Sequence, residues 1–346
     1  MRKGVLKIQM STQEILQEIR DGLTGENSVD MVYLEGQIEK YKDHENAAEI
    51  GNGIAEMAYE MLPDEKKEEM ARMMYIDGKR LDVIMNDAIK LIDQGKAEEA
   101  FKLTEALYTK IKISYRETEE RMYLSLRNPL EHQLYLYFYQ PSKRLERPPF
   151  DLSRMVMLHG YSLLEARRPE EAVAVLEDAI RYNPLNTDAY FEMAECYKFM
   201  QQTDNLLGCI KETLAISTSP EEISRCYCNL GFYCVEIEDY DSAVCFYYEA
   251  MIYNNNPMIT SELAHIQKQT QKKLSPPSRK LINETFEKYG IKPGANDEVL
   301  SVVAALGKAS VEEGNKTHAR IYFRILYSLT NDPEVKKTLD ELEKAK

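Results

Sequence analysis

The chain has 346 residues, 44% of them hydrophobic and 29% charged, with a formal net charge of -14. That length holds about two domains or one extended array, and the composition is too apolar for a disordered chain. A surface this negative repels phosphate backbones and anionic lipid, so neither nucleic acid nor a membrane is expected as a partner.

Residues 1–10 read as a loose tail, with no apolar run after the basic residues that would make a secretory signal. No stretch approaches the roughly 18 apolar residues of a membrane span. A cytoplasmic protein with free thiols is expected. Ser11, with Glu14 three residues on, predicts the capped start of a helix ending near Asp21-Gly22. Further helices are predicted over Val29–Tyr41, over Glu45–Leu62, and from Pro63-Asp64-Glu65 onward, where proline opens the first turn.

From Leu81 a fixed spacing appears. Gly160 is followed by Ala172 twelve residues later and Ala179 seven beyond, with Leu176 between and Pro184 closing the unit. Gly231, Ala243 and Ala250 repeat those intervals, with Tyr247 in the middle. Gly307, Ala319 and Phe323 repeat the start of them. Weaker copies pair Ala88 with Ala100 and Ala194 with Leu206. Small residues at a helix crossing let two backbones approach, while large neighbours such as Leu163, Tyr197, Leu176 and Tyr247 fill the space around them.

Between the copies, Arg116–Leu126 is predicted as helix and Asn128-Pro129 as its break. The aromatic run Leu134–Tyr139 follows, then a basic loop, Lys143–Arg147, bracketed by Pro141, Pro148 and Pro149. The main domain boundary is expected here. Helices are predicted over Ile259–Lys273 and Ser278–Tyr289, with a turn at Ile291–Gly294.

Taken as Val156, His159-Gly160, Leu163, Ala172, Leu176, Ala179, Pro184 and as Tyr227, Leu230-Gly231, Cys234, Ala243, Tyr247, Ala250, the pattern resembles the tetratricopeptide-repeat superfamily. The turn Glu238–Ala243 is similar to that family's inter-helix turn. Tryptophan is absent, and His159 stands where the family usually has Leu. The resemblance implies an all-α fold, a right-handed α-solenoid of helix-turn-helix hairpins with extra N-terminal helices and irregular spacers. The expected organisation is an N-terminal helical region at 11–127 holding a degenerate hairpin at 81–114, and an aromatic and proline-rich connector at 128–152. A core array of three repeats follows at 153–257, then spacer helices at 258–299 and a C-terminal hairpin with its cap at 300–346.

Catalytic signatures are not found. No phosphate-cradling loop, Gly-x-Gly-x-x-Gly after a strand, or Gly-x-Ser-x-Gly occurs. The five histidines have no metal-ligand spacing, and His159 falls at a core position. The six cysteines all lie between Cys196 and Cys245. Cys226 and Cys228 on one helix point about 200° apart, so small core filler is the expected role rather than a metal or redox site. No cofactor and no metal are expected.

The family's register implies that the first helices of the hairpins line a concave groove. Its predicted partner-binding residues are Met157, Tyr161, Leu164, Phe191, Phe199, Cys228 and Phe232. Arg154, Glu165, Asp188, Glu195, Lys198, Arg225, Val235 and Glu236 lie on the same line. Such a stripe fits an extended peptide or an amphipathic helix. It also fits a core face covered by the N-terminal helices or by the run at 134–139. Family members that hold chaperone tails clamp a carboxylate with Lys and Asn, but Met157, Tyr161, Phe191 and Glu195 stand at those places here. The expected function is a non-catalytic interaction scaffold or adaptor binding a protein or peptide. A peptide-sensing regulator, as among some bacterial repeat proteins, is the alternative.

Overall fold

A computed structural model describes residues 11–42, 44 and 46–344. The predicted tail at 1–10 lies outside the described residues, as does Glu45 at the predicted start of the third helix. The chain forms two compact units, one up to Gly78 and one from Lys79 onward. The described residues are almost wholly helical, an all-α fold.

In the first unit, α1 (Thr12–Asp21), α2 (Asn27–Tyr41), α3 (Ala47–Glu60) and α4 (Asp64–Met74) follow one another. The capping box at Ser11 and Glu14 forms as its spacing predicts, satisfying backbone donors that the first turn leaves free. The α1–α2 turn closes on Asp30, whose carboxylate accepts from the backbone of Thr24 and Gly25 at 2.7 Å each. Ile15, Ile19, Leu34, Ile50, Ile54 and Met57 form the core.

The second unit is a stack of hairpins. They are α5 (Leu81–Asp93) with α6 (Ala97–Ser114), α8 (Leu152–Glu165) with α9 (Pro169–Tyr182), α10 (Thr187–Phe199) with α11 (Thr203–Ile216), and α12 (Pro220–Glu236) with α13 (Tyr240–Tyr253). A Cβ on Gly160 would sit 2.7 Å from Leu176, and one on Gly231 2.7 Å from the Tyr247 ring, so both crossings need glycine. Each turn has one residue in the left-handed region, Gly95, Arg167, Gln201 or Glu238. The next amide then bonds back to the first helix: Arg168 N to Leu163 O at 2.9 Å, Asp239 N to Cys234 O at 2.8 Å.

The stack continues across the inserted segment, because α6 packs directly on α8. His159 fills that junction. Tyr108 stacks on its ring at 5.3 Å, Phe101 lies at 5.3 Å, and Thr104 Oγ1 is 3.1 Å from Nδ1.

The helix expected over Arg116–Leu126 is not there. Thr118 instead closes a turn on Arg121, and Arg121–Tyr123 is a strand paired in parallel with Arg144–Glu146. The basic loop between prolines is the second strand of that pair. α7 (Pro129–Tyr139), capped by Asn128, is the crossover between them. Parallel strands need such a connection, and their hydrogen bonds come from residues far apart in sequence. The segment is stitched to the array: Ser125 N donates to Tyr182 O at 2.8 Å, and Leu152 N donates to Ser125 Oγ at 2.9 Å. Buried Glu131 accepts from Arg127 Nε at 2.7 Å and from Asn183 Nδ2 at 3.0 Å.

Past α13, both α14 (Pro257–Thr270) and α15 (Arg279–Lys288) pack on it. Phe286 of α15 is fully buried against Tyr227 and Phe246, and Arg279 bonds the buried Glu249 at 2.8 Å. A last hairpin, α16 (Asp297–Glu312) with α17 (Lys316–Thr330), is covered by α18 (Pro333–Lys344). Gly307 lies under Phe323 there, where a Cβ would come within 3.1 Å. This hairpin returns to the inserted segment, with α16 against α7.

Candidate partner-binding face

The helices α8, α10 and α12 are each the first of a hairpin; α10 packs on α8, and side chains join α10 to α12. Arg225 of α12 lies 4.1 Å over the ring of Phe191 on α10. Lys198 of α10 bonds Glu195 and Asn229 at 2.8 Å each and lies 5.0 Å over the Phe232 ring. The Glu165 carboxylate of α8 is among the charges that push the Glu192 carboxyl of α10 up.

The predicted residues have different exposures along this face. Phe199 is 54% exposed at the end of α10. Met157, Tyr161, Leu164, Cys228 and Phe232 are half-buried. Phe191 is 3% exposed beneath Arg225 and belongs to the packing as much as to the surface. The aromatic run at 134–139 packs elsewhere: Tyr135 Oη reaches Met122 Sδ at 3.4 Å, and Tyr139 feels Glu212 of α11.

Two residues were missing from the register read off the sequence. Glu192 and Asn229 stand two places before Ala194 and Gly231, at equivalent positions on neighbouring helices. The same spacing would have found them, one step along each helix from Phe191 and Cys228. Burial pushes the Glu192 carboxyl up, and Glu195, Asp188 and Glu165 add to it, with Arg225 opposing.

The thiols are all unbridged. Burial pushes Cys228 up to about 11 and Cys196, Cys209 and Cys234 up to about 12, which keeps them protonated and poorly nucleophilic. Among the described residues no group of three or more His, Cys, Asp or Glu could hold a metal ion, and no helix is long and apolar enough to cross a membrane.

Residues 163–204, from the end of α8 through the start of α11, match a family model described as a tetratricopeptide repeat. That segment carries a tetratricopeptide-repeat match within an all-α chain. The array also shares similarity with solved structures, at low overlap. One is from work on Pseudomonas aeruginosa PilF, at 11% identity and TM-score 0.39, covering 75% of this chain and 96% of that one. A tetratricopeptide repeat protein from Parabacteroides merdae has 12% identity and TM-score 0.38, covering 96% and 98%. The APC/C hetero-tetramer Cut9–Hcn1 has 11% identity and TM-score 0.39, covering 94% of this chain and 58% of that one. No curated protein matches the chain. The family-model match spans the second hairpin helix α9 and the first hairpin helix α10, between the end of α8 and the start of α11.

Proposed function

We propose that this tetratricopeptide array is a non-catalytic scaffold or adaptor, and that the face of α8, α10 and α12 binds a segment of another protein. The observation that carries the reading is Phe199, 54% exposed on the face that also holds the half-buried Tyr161, Leu164 and Phe232. Apolar side chains left in water at successive repeats form a strip that a partner can desolvate, and aromatic residues are the usual anchors of such contacts. Their helical spacing suits an extended peptide or one side of an amphipathic helix.

The test is a selection of displayed random peptides on the protein, followed by thermal-shift measurements. Phe199→Ser with Phe232→Ala is compared with the control Ile252→Ser, which alters an exposed residue on α13. Selected peptides are expected to raise the melting temperature of wild type and control, and to lose that effect in the double variant. Peptides that still stabilise the double variant bind elsewhere and sink the reading. Phe191→Ala is unsuitable as a probe, since Phe191 is buried and its loss destabilises the fold itself.

A further inference from the structure

The charges on the face are unbalanced in one place. Glu192 has Arg225 as its opposing charge and Glu195, Asp188 and Glu165 around it, of which Asp188 is paired with Arg127 at 3.9 Å. Arg225 is engaged on the Phe191 ring at 4.1 Å, and Lys198 is held by Glu195 and Asn229. Glu192 is half-buried and takes no hydrogen bond or ion pair from the described residues. A carboxylate in that position has lost part of its water without gaining a hydrogen-bond partner.

A second, independent feature lies beside it. Asn229 is 5% exposed, and its Oδ1 accepts from Lys198, yet its Nδ2 has no hydrogen-bond partner. Buried amide donors are nearly always paired, so an unpaired one asks for an acceptor oxygen. Glu192 and Asn229 occupy the same register position on adjacent first helices, with Lys198 linking Asn229 to the acidic cluster through Glu195. One position has a carboxylate with no hydrogen-bond partner, and the next has a donor with no acceptor.

We infer that the occupant of this face is a basic, apolar protein segment, which places a Lys or Arg on Glu192 and an acceptor oxygen on the Asn229 amide while its apolar side chains meet Tyr161, Phe199 and Phe232. The inference rests on the binding reading above and adds the charge of the partner. Complementary charge across a partly desolvated face sets which partner is accepted.

The experiment is the sequence composition of the selected peptides, followed by titration calorimetry. Peptides whose binding requires Phe199 and Phe232 are expected to be enriched in Lys or Arg next to aliphatic or aromatic residues. Glu192→Gln is expected to weaken them about tenfold, and Glu165→Lys to weaken them in the same direction. Replacing the peptide's basic residue by Gln is expected to cost wild type the same factor and the Glu192→Gln protein nothing. Binding is also expected to weaken as pH falls and Glu192 takes up its proton, and that dependence is expected to vanish in Glu192→Gln. Melting temperatures of both variants, expected at the wild-type value, separate lost binding from lost folding.

Peptides that need Phe199 and Phe232 but are neutral or acidic, or that ignore Glu192→Gln, overturn the basic partner and leave the binding face standing. A selection that enriches nothing dependent on those aromatics overturns both.

Discussion

Among the described residues of the second unit, three hairpins place glycine at the helix crossing and two place alanine. The residue sixteen places on decides which. Gly160, Gly231 and Gly307 face Leu176, Tyr247 and Phe323, whose bulk begins beyond Cβ and reaches across the crossing. Ala88 and Ala194 have Thr104 and Ile210 at the same register, two β-branched residues whose bulk stays near their own backbone. The glycine hairpins make the closer approach along their length. The small position of the repeat is therefore one half of a volume match, and a glycine marks a long partner rather than a flexible helix.

Gly231→Ala breaks this match most directly. A methyl group 2.7 Å from the Tyr247 ring has to displace a side chain buried on all sides. The overpacking is expected to cost about 1–3 kcal/mol, outweighing the roughly 1 kcal/mol that alanine gains over glycine in a helix. Denaturant unfolding of Gly231→Ala, Tyr247→Val and the double variant sharpens the comparison. If the two positions are one match, the double variant recovers part of the single losses, and strict additivity would refute it.

The Thr104 hairpin offers a second handle. Its hydroxyl meets the His159 ring, which is 4% exposed and held down to about 4, chiefly by burial and then by Arg168. The unfolded chain takes up that proton at the ordinary histidine value, so it binds more protons than the folded chain at pH values between the two. Stability from this group is full above about pH 6.5, falls as pH drops toward 4, and is flat below it. The loss is expected to reach at most about 3 kcal/mol. His159→Leu is expected to remove that slope from unfolding curves measured across the window. A slope unchanged in the variant would assign it to other groups.

The smallest effect belongs to the turns. Glu238 holds a left-handed conformation that Gly95 takes in the equivalent turn of the first hairpin. Glu238→Gly is expected to stabilise by about 0.5–1 kcal/mol and Gly95→Ala to destabilise by a similar amount, both read as shifts in denaturant midpoint. Equal responses at the two turns would mean that the hairpins do not share one turn geometry.

The hairpins were legible because each crossing repeats its spacing within a few turns of helix, and a short-range pattern survives in the order of residues. The strand at Arg121–Tyr123 was not. Its partner lies beyond a whole helix at Arg144–Glu146, and three residues carry no alternation to read. The same limit applied to the proposed binding face. Its aromatics follow from the register, whereas the state of Glu192 depends on Glu165 from one repeat and Arg225 from another.

The contact of α16 with α7 changes how the array comes apart. A linear repeat protein unravels from its ends, because each unit leans only on its neighbours and the terminal one leans on a single side. Here the last hairpin is fastened to a helix inserted far earlier in the chain, which is itself stitched to Tyr182 and Asn183 at the end of α9. Melting the terminal hairpin therefore also breaks its contact with α7, so its loss is felt at a point far earlier in the chain.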